Sequence, residues 1–112
     1  MKKRQKGPPR PDKIPDVLKA IRQHLEQGLY RYKAHCTTRM SQRGVIRVEV
    51  EHVLIHGLRE ERKDEFKEEF NTWNYAIRGK TLDRDKELRI AVSFSSVEGL
   101  LIITAIDINR ED

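Results

Sequence analysis

Three side chains suited to holding a phosphate ester recur at every fourth position within the segment AHCTTRMSQRG. They are His35, Arg39 and Arg43, and on a helix this spacing places them in one row along a single face. Arginine presents a fork of donors that matches phosphate oxygens, and histidine exchanges a proton near neutral pH. Like charges at this spacing repel each other. Two interpretations follow: the arginines pair with the acidic segment 60–69 of the same chain, or the row binds an external anion.

A second pair of arginines falls on a β-sheet that is predicted in the C-terminal half. The segments TWNYAIRG and ELRIAVSF alternate apolar and polar residues, whereas GLLIITAIDI is apolar throughout and is expected to be buried on both faces. The polar face of the first two strands contains Arg78 and Arg89 with Ala76 and Ala91 between them. This face is either solvated, with arginine stems lying on the alanines, or a shallow basic floor for a phosphodiester.

Helices are predicted in the N-terminal half. Apolar residues recur at helical spacing between Pro15, placed in the first turn, and Gly28, placed at the C-terminal end. The following LYRYKA predicts a short strand or an extended connector. In the next helix, which contains the histidine–arginine row, Thr37 or Thr38 is expected to act as the N-cap and Gly44 to end the helix, with Met40 facing inward.

Residues 46–56 are ambiguous between helix and strand. The β-branched content of VIRVEVEHVLIHG favours a strand, whereas its closing HVLIHG favours a helix. Helices that precede a run of strands indicate an α+β fold with the helices on one sheet face. We therefore predict two or three N-terminal helices packed on a twisted antiparallel sheet of three to four strands.

The net charge of +5 arises from residues 1–13, which contain six basic residues and one acidic residue. The rest of the chain holds 17 residues of each sign, so the high pI is no argument for nucleic-acid binding. The proline and charge content of residues 1–13 predicts a disordered basic tail, and residues 14–112 are predicted to form a single domain. That domain is polarised: residues 30–47 contain five basic residues and no acid, whereas residues 48–70 contain eight acids and four basic residues.

Cysteine content and hydropathy exclude several classes. A single cysteine, Cys36, excludes an internal disulfide framework and a thiolate-rich zinc site. No apolar run approaches the length of a membrane span, and no apolar segment of a secretory signal follows the N-terminal lysines. We therefore expect a soluble cytoplasmic protein that requires no cofactor.

Other reactive side chains have simpler interpretations. Cys36 is more simply a buried thiol than a nucleophile. His52 and His56 have the spacing of helical zinc ligands, but no third ligand is evident, so two surface histidines are expected. Trp73 and Tyr75 have rings that can stack on bases, but core packing is the stronger expectation.

The segment HCTTRMSQRGV resembles the His-x-x-x-Arg-Met-x-x-Arg-Gly-Val/Ile signature of a bacterial domain-of-unknown-function family. The segments RKDEFKEEFNTWNYAIRGKTLDRDKELRIAVSF and GLLIITAIDI resemble the rest of that domain, so the resemblance covers roughly residues 30–109. The domain is similar to toxins of the RelE/MqsR class, which are mRNA endoribonucleases. Its members are often encoded beside a zinc-ribbon or helix-turn-helix antitoxin of the MqsA type. The resemblance implies a RelE- or barnase-like fold with the RNA cleft on the sheet, and it favours a helix for residues 47–56.

The resemblance also implies a function and a set of site residues. The function is that of a toxin-like component of a type II toxin–antitoxin system, a hydrolase that cleaves mRNA without a metal ion. Five positions match catalytic roles, namely proton transfer and stabilisation of the phosphate or the leaving oxygen: His35, Arg39, Lys63, Tyr75 and Arg78. Two further positions, Arg43 and Lys80, match RNA binding, and Arg89 is added to them from the polar face of the predicted strands. The alternatives on the same fold are a non-catalytic protein-interaction module and an RNA-binding protein that does not cleave.

Within the catalytic set, His35 is the implied general base or acid, and Arg39 and Arg78 are the implied phosphate-stabilising groups. Lys63 or Lys80 would support the transition state or the leaving oxygen. Tyr75 would be a second proton donor, although alternation along its strand places it on the apolar face.

Overall fold

The computed structural model describes residues 9–110, in which three α-helices pack on one face of a mixed β-sheet. The helices are α1 (Val17–Gln27), α2 (Ala34–Arg43) and α3 (Arg47–His56). The strands are β1 (Tyr30–Tyr32), β2 (Leu58–Arg59), β3 (Glu65–Lys67), β4 (Thr72–Lys80), β5 (Glu87–Ser95) and β6 (Gly99–Asp107). Short 3₁₀ turns cover Glu61–Lys63 and Ile108–Arg110.

The sheet has the strand order β1-β6-β5-β4-β2, and β3 also pairs with β4. Strand β1 runs parallel to β6, and the other pairs are antiparallel. The α+β class and the helices on one face are confirmed, but the sheet has six strands in the described part of the chain rather than three or four, and it is not wholly antiparallel. The additional strands β1, β2 and β3 contain only two or three residues each, which is too short for alternation to be recognised.

Helix α1 ends where the sequence predicts but begins two residues after Pro15, at Val17. Gly28 adopts the left-handed conformation (φ 73°) and ends the helix. Asp16 is the N-cap, and its Oδ1 accepts a hydrogen bond from the Lys19 backbone N–H at 3.2 Å. Pro15 therefore precedes the cap, and its placement in the first turn was wrong.

Helix α2 also ends as predicted, at Gly44 with φ 71°. Its N-cap is Lys33, which makes no side-chain capping bond, so neither threonine acts as the cap. The Thr37 and Thr38 hydroxyls instead donate to the Ala34 carbonyl, one turn back along the helix.

Residues 47–56 form a helix, as the resemblance implies and against the strand interpretation based on β-branched content. The Glu49 carboxylate accepts a hydrogen bond from the Ile46 N–H at 3.1 Å, which satisfies a free donor at the helix start. Val50, Val53 and Leu54 lie fully buried against the sheet. Burying each such side chain stabilises the fold by about 1.5–3 kcal/mol, which exceeds the few tenths of a kcal/mol that separate helix propensities.

The core lies between the helices and the alternate residues of the three long strands. The predicted inward residues Tyr75 and Ile77 are buried there, and Met40 faces inward as expected. The opposite face of the sheet, called here the outer face, contains Arg78 paired in register with Arg89, which is in turn paired with Ile106 of β6. The alternation thus predicted correctly which residues of β4 and β5 lie on each face. The expectation that β6 is buried on both faces is wrong, because Leu101, Ile103 and Ile106 are only half-buried.

The described part of the predicted tail contacts the domain. Residues 1–8 lie outside the described residues, so the predicted disorder there stays a prediction. The Trp73 Nε1–H donates to the Pro11 carbonyl at 2.9 Å, and Lys13 Nζ lies 3.0 Å from a carboxylate oxygen of Asp64. Among residues 9–110, none of the helices has the length and apolarity that crossing a membrane requires.

Candidate functional site

His35, Arg39 and Arg43 lie in one row on α2, which we call the α2 row. Cys36 and Met40 of the same helix are buried, which turns the row toward the edge of strand β6. Strand β1 pairs with β6 only as far as Ile102, and α2 then continues along the part of the edge that β1 leaves uncovered. The row and residues 103–106 of β6 line a pocket of about 200 Å³.

The α2 row has no acidic partner among the described residues. His35 and Arg39 are exposed and Arg43 is half-buried, and none of the three forms an ion pair within residues 9–110. The first turn of α2 contains no acidic side chain and its N-cap makes no side-chain bond. No acidic side chain in that turn therefore neutralises the positive end of the helix dipole.

Cys36 behaves as a structural thiol. Burial raises the pKa of its thiol, and the nearby positive charge of Arg43 offsets only part of that effect. Its Sγ lies 3.7 Å from the Met40 sulfur within the core. Because the thiolate is the nucleophilic form, this environment disfavours cysteine chemistry next to His35.

The arginines of the outer face have acidic partners, and we call this group the Glu60 cluster (Glu60, Arg78, Glu87 and Arg89). Arg89 donates to both Glu60 oxygens, at 2.7 and 3.1 Å. Arg78 donates to Glu60 at 3.1 Å and to Glu87 at 2.9 Å. Hydrogen bonds from Arg89 and then Arg78 lower the pKa of Glu60 to about 2, against the effect of its burial. The predicted basic floor is therefore neutralised by carboxylates.

The implied catalytic residues do not form one site. The α2 row lies beside β6, whereas Arg78 is on β4 and Lys63 is in the turn that follows β2, with β5 between the two groups. The row therefore does not share a cleft with Arg78, and the interpretation that its arginines pair with the acidic segment 60–69 is wrong.

Tyr75 is part of the hydrophobic core, and Trp73 is partly buried against it. Tyr75 is 3% exposed, and its hydroxyl oxygen accepts a hydrogen bond from the Ile14 N–H at 3.0 Å. A side chain buried there does not touch RNA, so the implied role of Tyr75 as a second proton donor is withdrawn. Trp73 packs on Phe66, and Lys13 lies 4.5 Å above its ring, in agreement with the core-packing expectation.

Comparison with protein-family models identifies residues 32–107 as the domain described as "Domain of unknown function (DUF4258)". The matched segment is more than half of the chain. The protein belongs to this family. No curated protein and no solved structure matched the chain. The DUF4258 segment contains the α2 row and the Glu60 cluster, so both belong to the family's own domain rather than to the preceding residues.

A groove of about 760 Å³ occupies the opposite side of this DUF4258 domain from the α2 row. It lies between the end of α3, strand β2, the end of β4 and the β4–β5 hairpin. Its charged lining consists of five basic and two acidic side chains: Arg59, Arg62, Arg78, Lys80, Arg84, Glu60 and Glu87. Arg62 and Arg84 were not predicted from the sequence, because a 3₁₀ turn and a hairpin have no periodicity that assigns side chains to a face.

Two glycines set the wall of the groove. A Cβ on Gly57 would lie 2.7 Å from the Arg78 carbonyl oxygen, and a Cβ on Gly79 would lie 3.1 Å from the Gly57 Cα. The end of α3 therefore packs directly against the backbone of β4. This contact places His52 and His56, whose ring centroids are 4.6 Å apart, at the groove.

The histidine pair has no further metal ligands nearby. Within residues 9–110 there is no group of three or more His, Cys, Asp or Glu side chains that could hold a metal ion. On α3, His56 is exposed and His52 is half-buried.

Proposed function

We propose that this protein is a toxin-like endoribonuclease that binds mRNA at the α2 row and cleaves it without a metal ion. The observation that supports the proposal is the unpaired state of His35, Arg39 and Arg43 among the described residues. Arg39 and Arg43 repel each other because no acidic partner within residues 9–110 lies beside them, so an external anion that binds them is stabilised. Their planar donors match phosphate oxygens in geometry as well as in charge.

The acidic segment 60–69, which was the alternative partner for the α2 row, pairs with other basic residues. The acidic residue of segment 60–69 that is most buried, Glu60, accepts hydrogen bonds from Arg78 and Arg89. Asp64 of the same segment is paired with Arg59 at 2.6 Å and with Lys13. These partners of the two acids are on β2, β4 and β5 and in the segment before α1, not on α2. The basic segment 30–47 and the acidic segment 60–69 therefore do not pair through Glu60 or Asp64.

The proposed reaction uses groups that the α2 row contains. His35 removes the proton from a ribose 2′-hydroxyl, and the resulting alkoxide attacks the adjacent phosphorus. Arg39 and Arg43 stabilise the additional negative charge on the phosphate oxygens. The bond to the 5′-oxygen breaks, and that oxygen takes a proton from the histidinium or from water. The products are a 2′,3′-cyclic phosphate and a 5′-hydroxyl.

The resemblance to RelE/MqsR-type toxins supports the remaining parts of the proposal. It indicates a cytoplasmic site of action on mRNA and a cognate antitoxin, of the zinc-ribbon or helix-turn-helix type, that holds the protein inactive. An antitoxin that covers the α2 row would keep RNA away from His35 and the two arginines, and would thereby prevent cleavage of the cell's own mRNA.

The test is cleavage of a defined single-stranded RNA by purified protein in the presence of EDTA. We expect wild type to release 5′-hydroxyl fragments, and His35→Ala to be about 10²–10⁴-fold slower because general base catalysis contributes that much. Arg39→Ala is expected to slow cleavage as well. Ser41→Ala is the matched control, since Ser41 is exposed on the side of α2 opposite the row and its replacement leaves the rate unchanged.

Binding without cleavage by the wild-type protein would overturn the endoribonuclease proposal and favour the non-cleaving RNA-binding alternative. Cleavage that persists in His35→Ala at the wild-type rate would remove His35 from the mechanism. A melting temperature within about 2 °C of wild type shows that a slow variant is folded, since surface substitutions change stability by about 0.5 kcal/mol or less.

A further inference from the structure

The groove beside β2 and β4 presents three cations from three different elements. Arg62 extends from the 3₁₀ turn, Lys80 from the end of β4 and Arg84 from the β4–β5 hairpin. Lys80 and Arg84 are exposed and form no ion pair with any residue between 9 and 110. Arg62 has a side chain that is 75% exposed and lies 3.7 Å from Glu60. Their positive charge is therefore available to a ligand.

The acidic residues of the groove are already used by other arginines. Glu60 accepts hydrogen bonds from Arg78 and Arg89, and Glu87 accepts one from Arg78. These carboxylates therefore neutralise the floor of the groove and leave its rim basic.

Two further carboxylates belong to the hairpin but do not line the groove. The Thr81 hydroxyl oxygen lies 2.9 Å from Asp83 Oδ1 and 3.1 Å from Asp85 Oδ1, and its single proton can be donated to either carboxylate. Asp85 also lies 3.7 Å from Lys86 Nζ. Both aspartates are exposed, but the hairpin residues that give the groove lining its positive charge are Lys80 and Arg84.

The partial negative charge at the C-terminal end of α3, which borders the groove, is also balanced by a basic side chain. A helix C-terminus has exposed carbonyl groups and a partial negative charge, which would repel an anion. Arg22 donates to the Gly57 carbonyl at 3.1 Å and to the Leu54 carbonyl at 3.4 Å. These bonds cap the end of α3 with a positive charge and remove that repulsion.

We propose that the groove is a second phosphate-binding surface, which holds the backbone of single-stranded RNA through Arg62, Lys80 and Arg84. The choice of RNA as the ligand rests on the proposed function. The groove is open and has no Phe, Tyr or Trp in its lining, so it offers contacts to phosphates rather than stacking platforms for bases. Neighbouring strands lie about 4.8 Å apart, so β6 and β2, the strands next to the two sites, are separated by about 14 Å across the sheet.

The experiment measures binding of a fluorescein-labelled single-stranded RNA whose 2′-hydroxyls are methylated, so that no cleavage occurs. Anisotropy titrations at several salt concentrations give the slope of log K against log[salt], which falls by about 0.7 for each lost phosphate contact on a single strand. Lys80→Gln with Arg84→Gln is expected to reduce the magnitude of the slope by about 1.4 and to weaken binding several-fold at low salt.

The matched control removes two exposed cations away from the groove, Lys19 on α1 and Arg31 on β1. Lys19→Gln with Arg31→Gln makes the same change in net charge, and we expect it to leave the slope within about 0.3 of wild type. Equal slopes for the groove variant and wild type, or equal losses in the groove and control variants, would overturn the groove proposal.

Failure of this proposal differs from failure of the proposed function. Suppose that the groove variant shows the expected change in slope but that wild type never cleaves RNA. The groove then remains an RNA site, and the endoribonuclease proposal fails. If His35→Ala abolishes cleavage while the groove variant binds as wild type does, the function stands and the groove proposal fails.

Discussion

The α2 row and the Glu60 cluster contain the same kind of side chain in opposite electrostatic states. Arg39 and Arg43 lack an acidic partner among residues 9–110, whereas Arg78 and Arg89 share the carboxylate of Glu60. Arginine content alone does not distinguish the two regions. The difference is one acidic residue that the connection after β2 places on the outer face of the sheet.

The geometry of that connection explains why Glu60 is available to two arginines. Strand β2 and strand β3 both pair with β4, and the intervening residues form a 3₁₀ turn that leaves the ladder. The Glu60 N–H donates to the Ala76 carbonyl at 2.9 Å, which fixes its backbone next to the outer face. A 9% exposed carboxylate there requires hydrogen bonds, and Arg78 and Arg89 supply them. The cluster is thus best explained as part of the fold.

The largest expected effect on stability comes from Glu60→Gln. The change leaves two arginines without their shared charge, and we expect the free energy of unfolding to fall by about 2–3 kcal/mol, less than for a fully buried pair because the arginines are partly exposed. Urea unfolding measures it. Glu61→Gln is the matched control. The Glu61 side chain is exposed, and its ion pair with Lys13 is long, at 3.7 Å, so its removal is expected to change stability little. A Glu60→Gln protein as stable as that control would show that the cluster is not structural.

A smaller effect separates the arginines of the two regions directly. Arg89→Gln is expected to cost about 1–2 kcal/mol of unfolding free energy, because Glu60 keeps Arg78 as a partner. Arg39→Gln is expected to change stability by less than about 0.5 kcal/mol, since its side chain is exposed. For RNA binding we expect the reverse order, with the larger loss of affinity for Arg39→Gln. Equal stability losses for both substitutions would contradict the distinction between the regions.

The regular elements were predictable from the sequence because their patterns extend over many residues. The alternation of β4 and β5 correctly placed Ile77 inward and Arg78 outward. The strand tendency of residues 47–56 was outweighed by tertiary burial of Val50 and Val53, which local propensity does not include. Strands of two or three residues escaped recognition for the opposite reason, since their pairing depends entirely on β4 and β6.

The composition of the candidate sites was less predictable from the sequence than the assignment of β4 and β5 residues to the two faces of the sheet. The spacing of His35, Arg39 and Arg43 correctly predicted one helical row. Their separation from Arg78 was not predictable, because strand order decides it and the sequence pattern does not determine which strands are neighbours. The partners of Arg78 and Arg89 depend on a turn without periodicity, so a face that looks basic along each strand becomes neutral once Glu60 is placed.

The contrast between the two regions also predicts a pH dependence of stability at the Glu60 cluster. The pKa of Glu60 is lowered to about 2 in the folded protein, from an ordinary value of 4.5. The unfolded chain therefore takes up the proton first as the pH falls, and the stabilisation by Glu60 is complete above pH 4.5 and is lost as the pH approaches 2. We expect the stability difference between wild type and Glu60→Gln to be constant from pH 7 to 5 and to shrink between pH 4.5 and 2.5. A difference that stays constant down to pH 2.5 would mean that Arg78 and Arg89 do not hold the carboxylate in its charged form, and the contrast with the α2 row would disappear.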